Sequence, residues 1–445
     1  MHPRYTLSEM AELWSEESKF NHWLEVEIAF LKARAEAGDL DHETLLTIAY
    51  NAKINVARIE KFDKIYHHDL IAFVSDVQES LRESGAGEYA HEVHRHLTSY
   101  DTEDPAVVLM LRKAVKFIMD ALTELIGTLE KKALEHKWTY MIGRTHGQFA
   151  EPTTFGHMLL VFTQEMLRNK TRLEQCLATD LSEGKIAGAI GNYCGIDPNV
   201  SIMALDFLGL KPAPAETQIL GRDRFASVLS AIAITGAGIE RMTRCFWELM
   251  RSDTRELEEA RGSKQRGSSH MAYKKNPIFH EQGQGLPRLL RGYLQASLEN
   301  IETPDFRAIE QSSVERHILP GATSLLHYML VKLTTHVQNL LVFPERMKAN
   351  LDGMYGIWAS QQIRSSLMDA GVSYDDAYLY LQKAGFQAWE DKVPLQRIVS
   401  TIPISESDER TALTILGEET LASFFDVHAY IECGIDHLFT CTAKR

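Results

Sequence analysis

One apolar stripe constrains this chain more than any other feature. Val108, Leu111, Val115, Ile118, Leu122, Leu125 and Leu129 recur at alternating spacings of three and four. That spacing holds a single helix face against near-parallel neighbours over many turns. Asp104-Pro105 predicts where the helix begins, with a capping side chain before a proline at the first helical position. A second helix is expected after Pro152, running to about Ala178. A third is expected from about Arg222 to Glu259, with Phe225, Leu229, Ile232, Gly236 and Ile239 on one face. Further helical pieces are expected over 285–302 and 312–342. Helices this long exceed the globular average several-fold. They predict an all-α protein built on an elongated bundle whose apolar stripes also serve subunit contacts. Alternating Val/Ile/Thr runs between turns are almost absent, so little sheet is expected.

Shorter helices are expected on either side. One spans roughly 16–37, with Phe20, Leu24, Ile28 and Leu31 on a face and Gly38 just after its end. After about 350, turn breaks near Gly371, Pro394 and Pro403 divide the chain into short helices. The resulting division is an N-terminal helical domain (1–100), a central long-helix bundle (101–350) and a C-terminal helical domain (351–445). A chain of 445 residues is long for one core.

Composition excludes several classes of function. The net charge is −14, and no dense Lys/Arg run offers the basic face that nucleic acid requires. No run of 18 or more consecutive apolar residues predicts a membrane span, and the first residues do not read as a signal peptide. Cys176, Cys194, Cys245, Cys433 and Cys441 are odd in number and widely spread, without metal-ligand spacing. A reducing cytoplasm is the expected location.

Four polar segments interrupt the helical pattern. Arg261–Pro277 is rich in Gly, Ser and Lys, and reads as an exposed functional loop or a solvated linker. A serine beside lysines there is a candidate base, because nearby positive charge favours the alkoxide. Gly143–Thr154, with His146, is expected to join two long helices; the histidine suits proton transfer or a structural role. His94–Asp101 precedes the stripe, and its Thr98 and Ser99 read as carboxylate donors or as a helix cap. His68-Asp69 reads as a histidine oriented by an acid or as a surface turn. Arg307–Arg316 places two arginines and a serine at a helix start, suited to a phosphate or to solvent.

The pattern Gly267-Ser-Ser-x-Met-x-x-Lys-x-Asn-Pro277 resembles the signature of the fumarase/aspartase superfamily, and within it the adenylosuccinate lyases. Arg4-Tyr5, His68-Asp69, Leu97-Thr-Ser, Gly143-Arg-Thr-His-Gly, Glu151–Gly156, Thr217-Gln218, Arg222-Asp-Arg224 and Ser312-Ser-x-Glu-Arg316 follow in order over essentially the whole chain. The resemblance implies a homotetramer with active sites shared between three subunits. It implies β-elimination of fumarate from a phosphorylated succinyl substrate, with no metal or organic cofactor. By resemblance, Ser268 takes the Cβ proton and His146 protonates the leaving nitrogen, with Glu281 orienting it. Lys274 and Asn276 hold the succinyl carboxylates, and Thr98 and Ser99 bind the carboxylate as well. Arg4, Tyr5, Arg307, Ser312 and Arg316 hold the phosphate, while His68, with Asp69, and His94 and Gln218 line the nucleotide region.

The chain departs from the family pattern around this site. Ala272-Tyr273 replaces Pro-His, His96 stands where the family has glycine, Tyr100 where it has threonine and His67 where it has arginine. Arg307-Ala-Ile-Glu-Gln311 replaces Arg-Asp-x-Ser-His. A paralogous lyase for another N-succinyl compound and a catalytically silent homologue are the alternatives.

Overall fold

The chain is described from a computed structural model, which covers residues 2–262, 264 and 266–443. It is all-α. Its long helices are Ser99–Glu135, Phe155–Ala178, Asp223–Leu249 and Glu310–Gln338. Among the described residues, strands occur only as three two-stranded ladders, of which the Tyr140–Thr145/Gln148–Thr154 hairpin is the longest.

The residues group into two compact units. The first comprises 1–125, 166–241 and 282–334, and the second 126–165, 242–281 and 335–445. In the first, Val108, Leu111, Val115, Ile118, Leu122 and Leu125 are fully buried, as the stripe predicts. Phe225, Leu229, Ile232 and Ile239 are buried too. Gly236 admits the neighbouring Pro287–Glu299 helix, since a Cβ there would sit 2.5 Å from Leu290 Cδ1. In the second unit, Ile142 of the hairpin packs into a core with Leu351, Trp358, Ile363, Leu367, Tyr380 and Leu395.

The helix Asp223–Leu249 is apolar enough to span a membrane by length and composition, but 67% of its most apolar window is buried within the protein. That is the burial of a core helix. It ends at Leu249, ten residues before the sequence-based boundary. Beyond it Arg255 takes a φ of +56°, and Leu257–Glu258 pairs with Leu341–Val342.

One other boundary and one buried face also differ from expectation. The helix carrying the stripe starts at Ser99, and Pro105 lies inside it. Thr98 precedes it, and its backbone N–H donates to Asp101 Oδ2 at 3.0 Å. Asp104 is therefore no cap; its carboxylate accepts from Arg222 and from the Leu220 N–H. The N-terminal helix Glu16–Glu36 buries Phe20, Trp23, Val26, Phe30 and Leu31, whereas Leu24 and Ile28 are only partly covered. A strict spacing of four drifts off a face that turns every 3.6 residues. Its end is as expected: Gly38 has a φ of +79°, and the N–H groups of Gly38 and Asp39 close onto Ala35 and Arg34.

Candidate active site

In the first unit, the proposed nucleotide-binding residues gather around the N-terminal turns of two long helices. Asp101 anchors the start of the Ser99 helix. Its buried carboxylate accepts from the N–H groups of Ala187 (2.8 Å) and Gly188 (3.2 Å) and pairs with buried Lys185 at 2.7 Å. The cap at Thr98 uses only its backbone, so the hydroxyls of Thr98 and Ser99 have no hydrogen-bond partner among the described residues. His94 is held by Glu27, whose two oxygens take the backbone N–H at 2.9 Å and Nδ1 at 2.8 Å. Burial disfavours its imidazolium, but the Glu27 carboxylate outweighs this and raises the pKa above its ordinary value. His68 caps the helix Asp69–Glu83, with Nδ1 facing the Ile71 N–H.

Arg316 donates to Asp69 at 2.5 Å, joining two of these segments. Arg307 lies over the ring of buried Tyr100, 4.4 Å from its centroid, and Ser312 hydrogen-bonds the same tyrosine. Burial pushes the Tyr100 phenol up to about 12. Gln218 is tethered by its Nε2 to Ala189 O and by its N–H to Phe306 O, which sets it beside Arg307. Its Oε1 is buried without a hydrogen-bond partner. Beneath this group, buried Arg222 bridges Asp104 and Glu315 at 2.9 Å each.

Arg4 and Tyr5 lie apart from this group within one chain. They form the 3-10 turn Pro3–Tyr5, and Tyr5 meets Tyr328 edge-on at 5.5 Å. Tyr328 is on the same helix as Arg316 but ~18 Å along it, by the rise per residue.

The second unit holds the remaining candidates. His146 and Gly147 form the two-residue turn of the hairpin, with φ of +54° and +76°. Positive φ at both positions is the mark of a type I′ turn, whose twist matches the strands. Gly143–Thr154 is therefore mostly strand and not loop. The hairpin is fastened by Arg144, which donates to buried Glu256 at 2.9 Å. Glu256 in turn accepts from Asn350.

The Arg261–Pro277 segment is closed at its neck. Arg261 donates to the carbonyls of Lys274 and Asn276, and the Asn276 amide donates to Gly267 O at 2.8 Å. A Cβ on Gly267 would lie 2.4 Å from Lys274 O, so only glycine fits this neck. Ser268 Oγ accepts from the N–H groups of Met271 (3.0 Å) and His270 (3.3 Å), which fixes the hydroxyl. Lys274, Asn276 and Glu281 line a cavity of about 1270 Å³ with Arg251, Arg255 and Arg346. Glu281 and His146 are both exposed, and no hydrogen bond joins them within one chain.

Residues 4–290 match a family described as lyase. The chain is 39% identical to adenylosuccinate lyase of Bacillus subtilis over 436 residues, covering 98% of both chains. It is 40% identical to adenylosuccinate lyase of Thermotoga maritima over 437 residues, again 98% of both. The chain belongs to the adenylosuccinate lyase family. Among solved structures, a fumarate lyase from Mesorhizobium sp. BNC1 matches with a TM-score of 0.88 at 22% identity over 100% of both chains. A 3-carboxy-cis,cis-muconate lactonizing enzyme from Pseudomonas putida matches with 0.87 at 22%, over 99% of this chain and 98% of that one. These two share the fold, that of the fumarase/aspartase superfamily.

As an adenylosuccinate lyase family member, the chain is a carbon–nitrogen lyase, and its departures from the family pattern acquire structural meaning. His96, in place of the family glycine, keeps a φ of +72°. Tyr100, in place of threonine, supplies the ring under Arg307. Tyr273 is 82% exposed at the loop tip, with its hydroxyl on Met271 Sδ. From the sequence Glu103 received no role, Glu315 entered only as part of the Ser312–Arg316 motif and Asp104 was read as a helix start, yet all three stand among these groups. Asp104 resembles a cap locally, and the partners that reveal its role are more than a hundred residues away.

Proposed function

We propose that this enzyme eliminates fumarate from adenylosuccinate to give AMP, and from succinylaminoimidazole carboxamide ribotide in purine biosynthesis. One observation carries the reading. Identity near 40% with two adenylosuccinate lyases extends over almost the whole chain, and the Ser268, Lys274 and Asn276 pattern and the Arg307, Ser312 and Arg316 pattern are both retained.

In this reading Ser268 removes the Cβ proton, leaving a carbanion that the adjacent carboxylate stabilises. Lys274 and Asn276 hold the succinyl carboxylates, with Thr98 and Ser99 at the carboxylate. Preorganised donors of this kind act on the charge that develops in the transition state. His146 protonates the leaving nitrogen and Glu281 orients it. Arg307, Ser312, Arg316, Arg4 and Tyr5 take the phosphate, and His68, Asp69, His94 and Gln218 surround the nucleotide.

The working enzyme is a cytoplasmic homotetramer with three domains per chain (1–100, 101–350 and 351–445), and three subunits contribute to each site. The separation of Arg4 and Tyr5 from Arg316 within one chain supports that sharing.

The test is fumarate release from adenylosuccinate, followed by ultraviolet absorbance. Ser268→Ala is expected to lower kcat by at least the 10²–10³ that loss of a single catalytic donor commonly costs, while the oligomer and substrate binding persist. Near-normal turnover would remove Ser268 from the base role. Turnover of another N-succinyl amine, with none of adenylosuccinate, would favour a paralogous lyase.

A further inference from the structure

A cavity of about 160 Å³ opens beside Ser312 and Arg316 in the first unit. Tyr100, Glu103, Val107 and Met110, which share one face of the Ser99 helix, line it together with Trp14 and Trp23. The charged groups lining it are Glu16, Lys19, Glu103, Asp104, Glu315 and Arg316. All but one are engaged inside the chain. Lys19 pairs with Glu16 at 2.5 Å, Asp104 and Glu315 share Arg222, and Arg316 holds Asp69. The Glu103 carboxyl has no ion pair or hydrogen bond among the described residues.

A carboxyl group left alone beside a cavity is costly unless it is neutral or meets a ligand. We propose that Glu103 is a substrate-binding residue that donates a hydrogen bond from its neutral carboxyl to the substrate phosphate held by Ser312 and Arg316. This rests on the adenylosuccinate lyase reading, which places the phosphate at those residues. The surroundings keep the proton on Glu103. Burial, the largest influence, and the Asp69 carboxylate push its pKa up to about 8, with Asp104 adding to them and Arg316 and Arg307 opposing. Glu16, Lys19, Tyr100 and Glu315 are the other titratable groups at the cavity. A neutral carboxyl supplies one O–H donor, which a phosphate oxygen accepts. An ionised carboxylate would repel the phosphate instead.

The sign of the pH dependence follows. A phosphate monoester, with a second pKa near 6, is already dianionic well below pH 8. Glu315, pushed up to about 7 by burial, ionises beside its partner Arg222 below that pH, so above pH 8 the change that weakens phosphate binding is loss of the Glu103 proton. KM for adenylosuccinate is expected to stay level below about pH 8 and to rise about tenfold per pH unit above it.

KM and kcat for fumarate release from adenylosuccinate would be measured separately from pH 6.5 to 9.5 in the wild type, Glu103→Gln and Glu103→Leu. Glu103→Leu is expected to raise KM about tenfold at pH 7, the loss of one charge-assisted hydrogen bond, with a smaller effect on kcat. Glu103→Gln keeps a donor at every pH, so it should recover the KM that the leucine variant loses and abolish the alkaline rise. A Gln variant whose KM climbs above pH 8 as the wild type does would overturn the role of Glu103. So would equal KM values for the Leu variant and the wild type. If the wild type itself releases no fumarate from adenylosuccinate at any pH, the functional reading fails, and this inference with it.

Discussion

His96 illustrates how much a single position can carry. It holds a left-handed φ of +72° where related sequences place glycine. Left-handed backbone costs an L-residue about 1–2 kcal/mol, and glycine returns roughly 0.5–1 kcal/mol of that through its greater freedom when unfolded. His96→Gly is therefore expected to stabilise the protein by up to about 1 kcal/mol, seen as a higher thermal midpoint; a lower midpoint would mean that the imidazole makes a contact worth more than the strain. Arg316 is the second test at this scale. Arg316→Ala should raise KM for phosphorylated substrates on the order of tenfold or more, as loss of a hydrogen bond to a charged group does. A dephosphorylated analogue should be hardly affected, and equal losses for both would take Arg316 out of the phosphate site. Ser268, Lys274 and Arg316 could be proposed from the sequence because their motifs are contiguous. Glu103 and Asp104 could not, because Arg222, Arg316 and Asp69 define their surroundings and chain order does not place those residues nearby.

At the scale of elements, the seven-residue periodicity of the Ser99 helix was fully legible, since burial of Val108 through Leu125 depends only on spacing. Its starting point was not. Asp104-Pro105 looks like a beginning, but the cap is Thr98 with Asp101, and Pro105 forgoes one bond of the ladder. The Asp101–Lys185 pair compensates by fixing that turn to residues 185–188. Asp101→Ala would leave Lys185 buried and uncompensated, at a cost on the order of 3–5 kcal/mol. The expected result is a sharp fall in thermal midpoint and soluble yield, largely recovered by Asp101→Asn combined with Lys185→Met. A midpoint within a degree or two of the wild type would show that water reaches the ammonium group. The hairpin around His146 was also missed as strand, because a short ladder gives too few alternations to stand out between long helices.

For the whole molecule, four of the five edges of the two compact units fall inside the long helices and the fifth inside the short helix Ile278–Gly285, so no interhelical linker marks them. At this scale the fold class and helix content could be read directly, because they depend on spacing along one chain, whereas assembly depends on contacts between chains. If three subunits share each site, Ser268→Ala and His146→Gln, each inactive alone, should regain activity when the two proteins are unfolded together and refolded as mixed tetramers. Sedimentation should give four chains per particle for both variants. Mixed tetramers that stay inactive would place both residues in the same subunit's contribution. The hairpin turn at His146 and Gly147 adds a last consequence. In the proposed mechanism the proton donor sits on a paired ribbon whose register shifts between Ile142 and Arg144, so its reach cannot change without slipping the register of that ribbon. Substrate preference in this scaffold can therefore evolve through the Gly267–Pro277 loop and the cavity at Glu103, while the donor stays where the ribbon sets it.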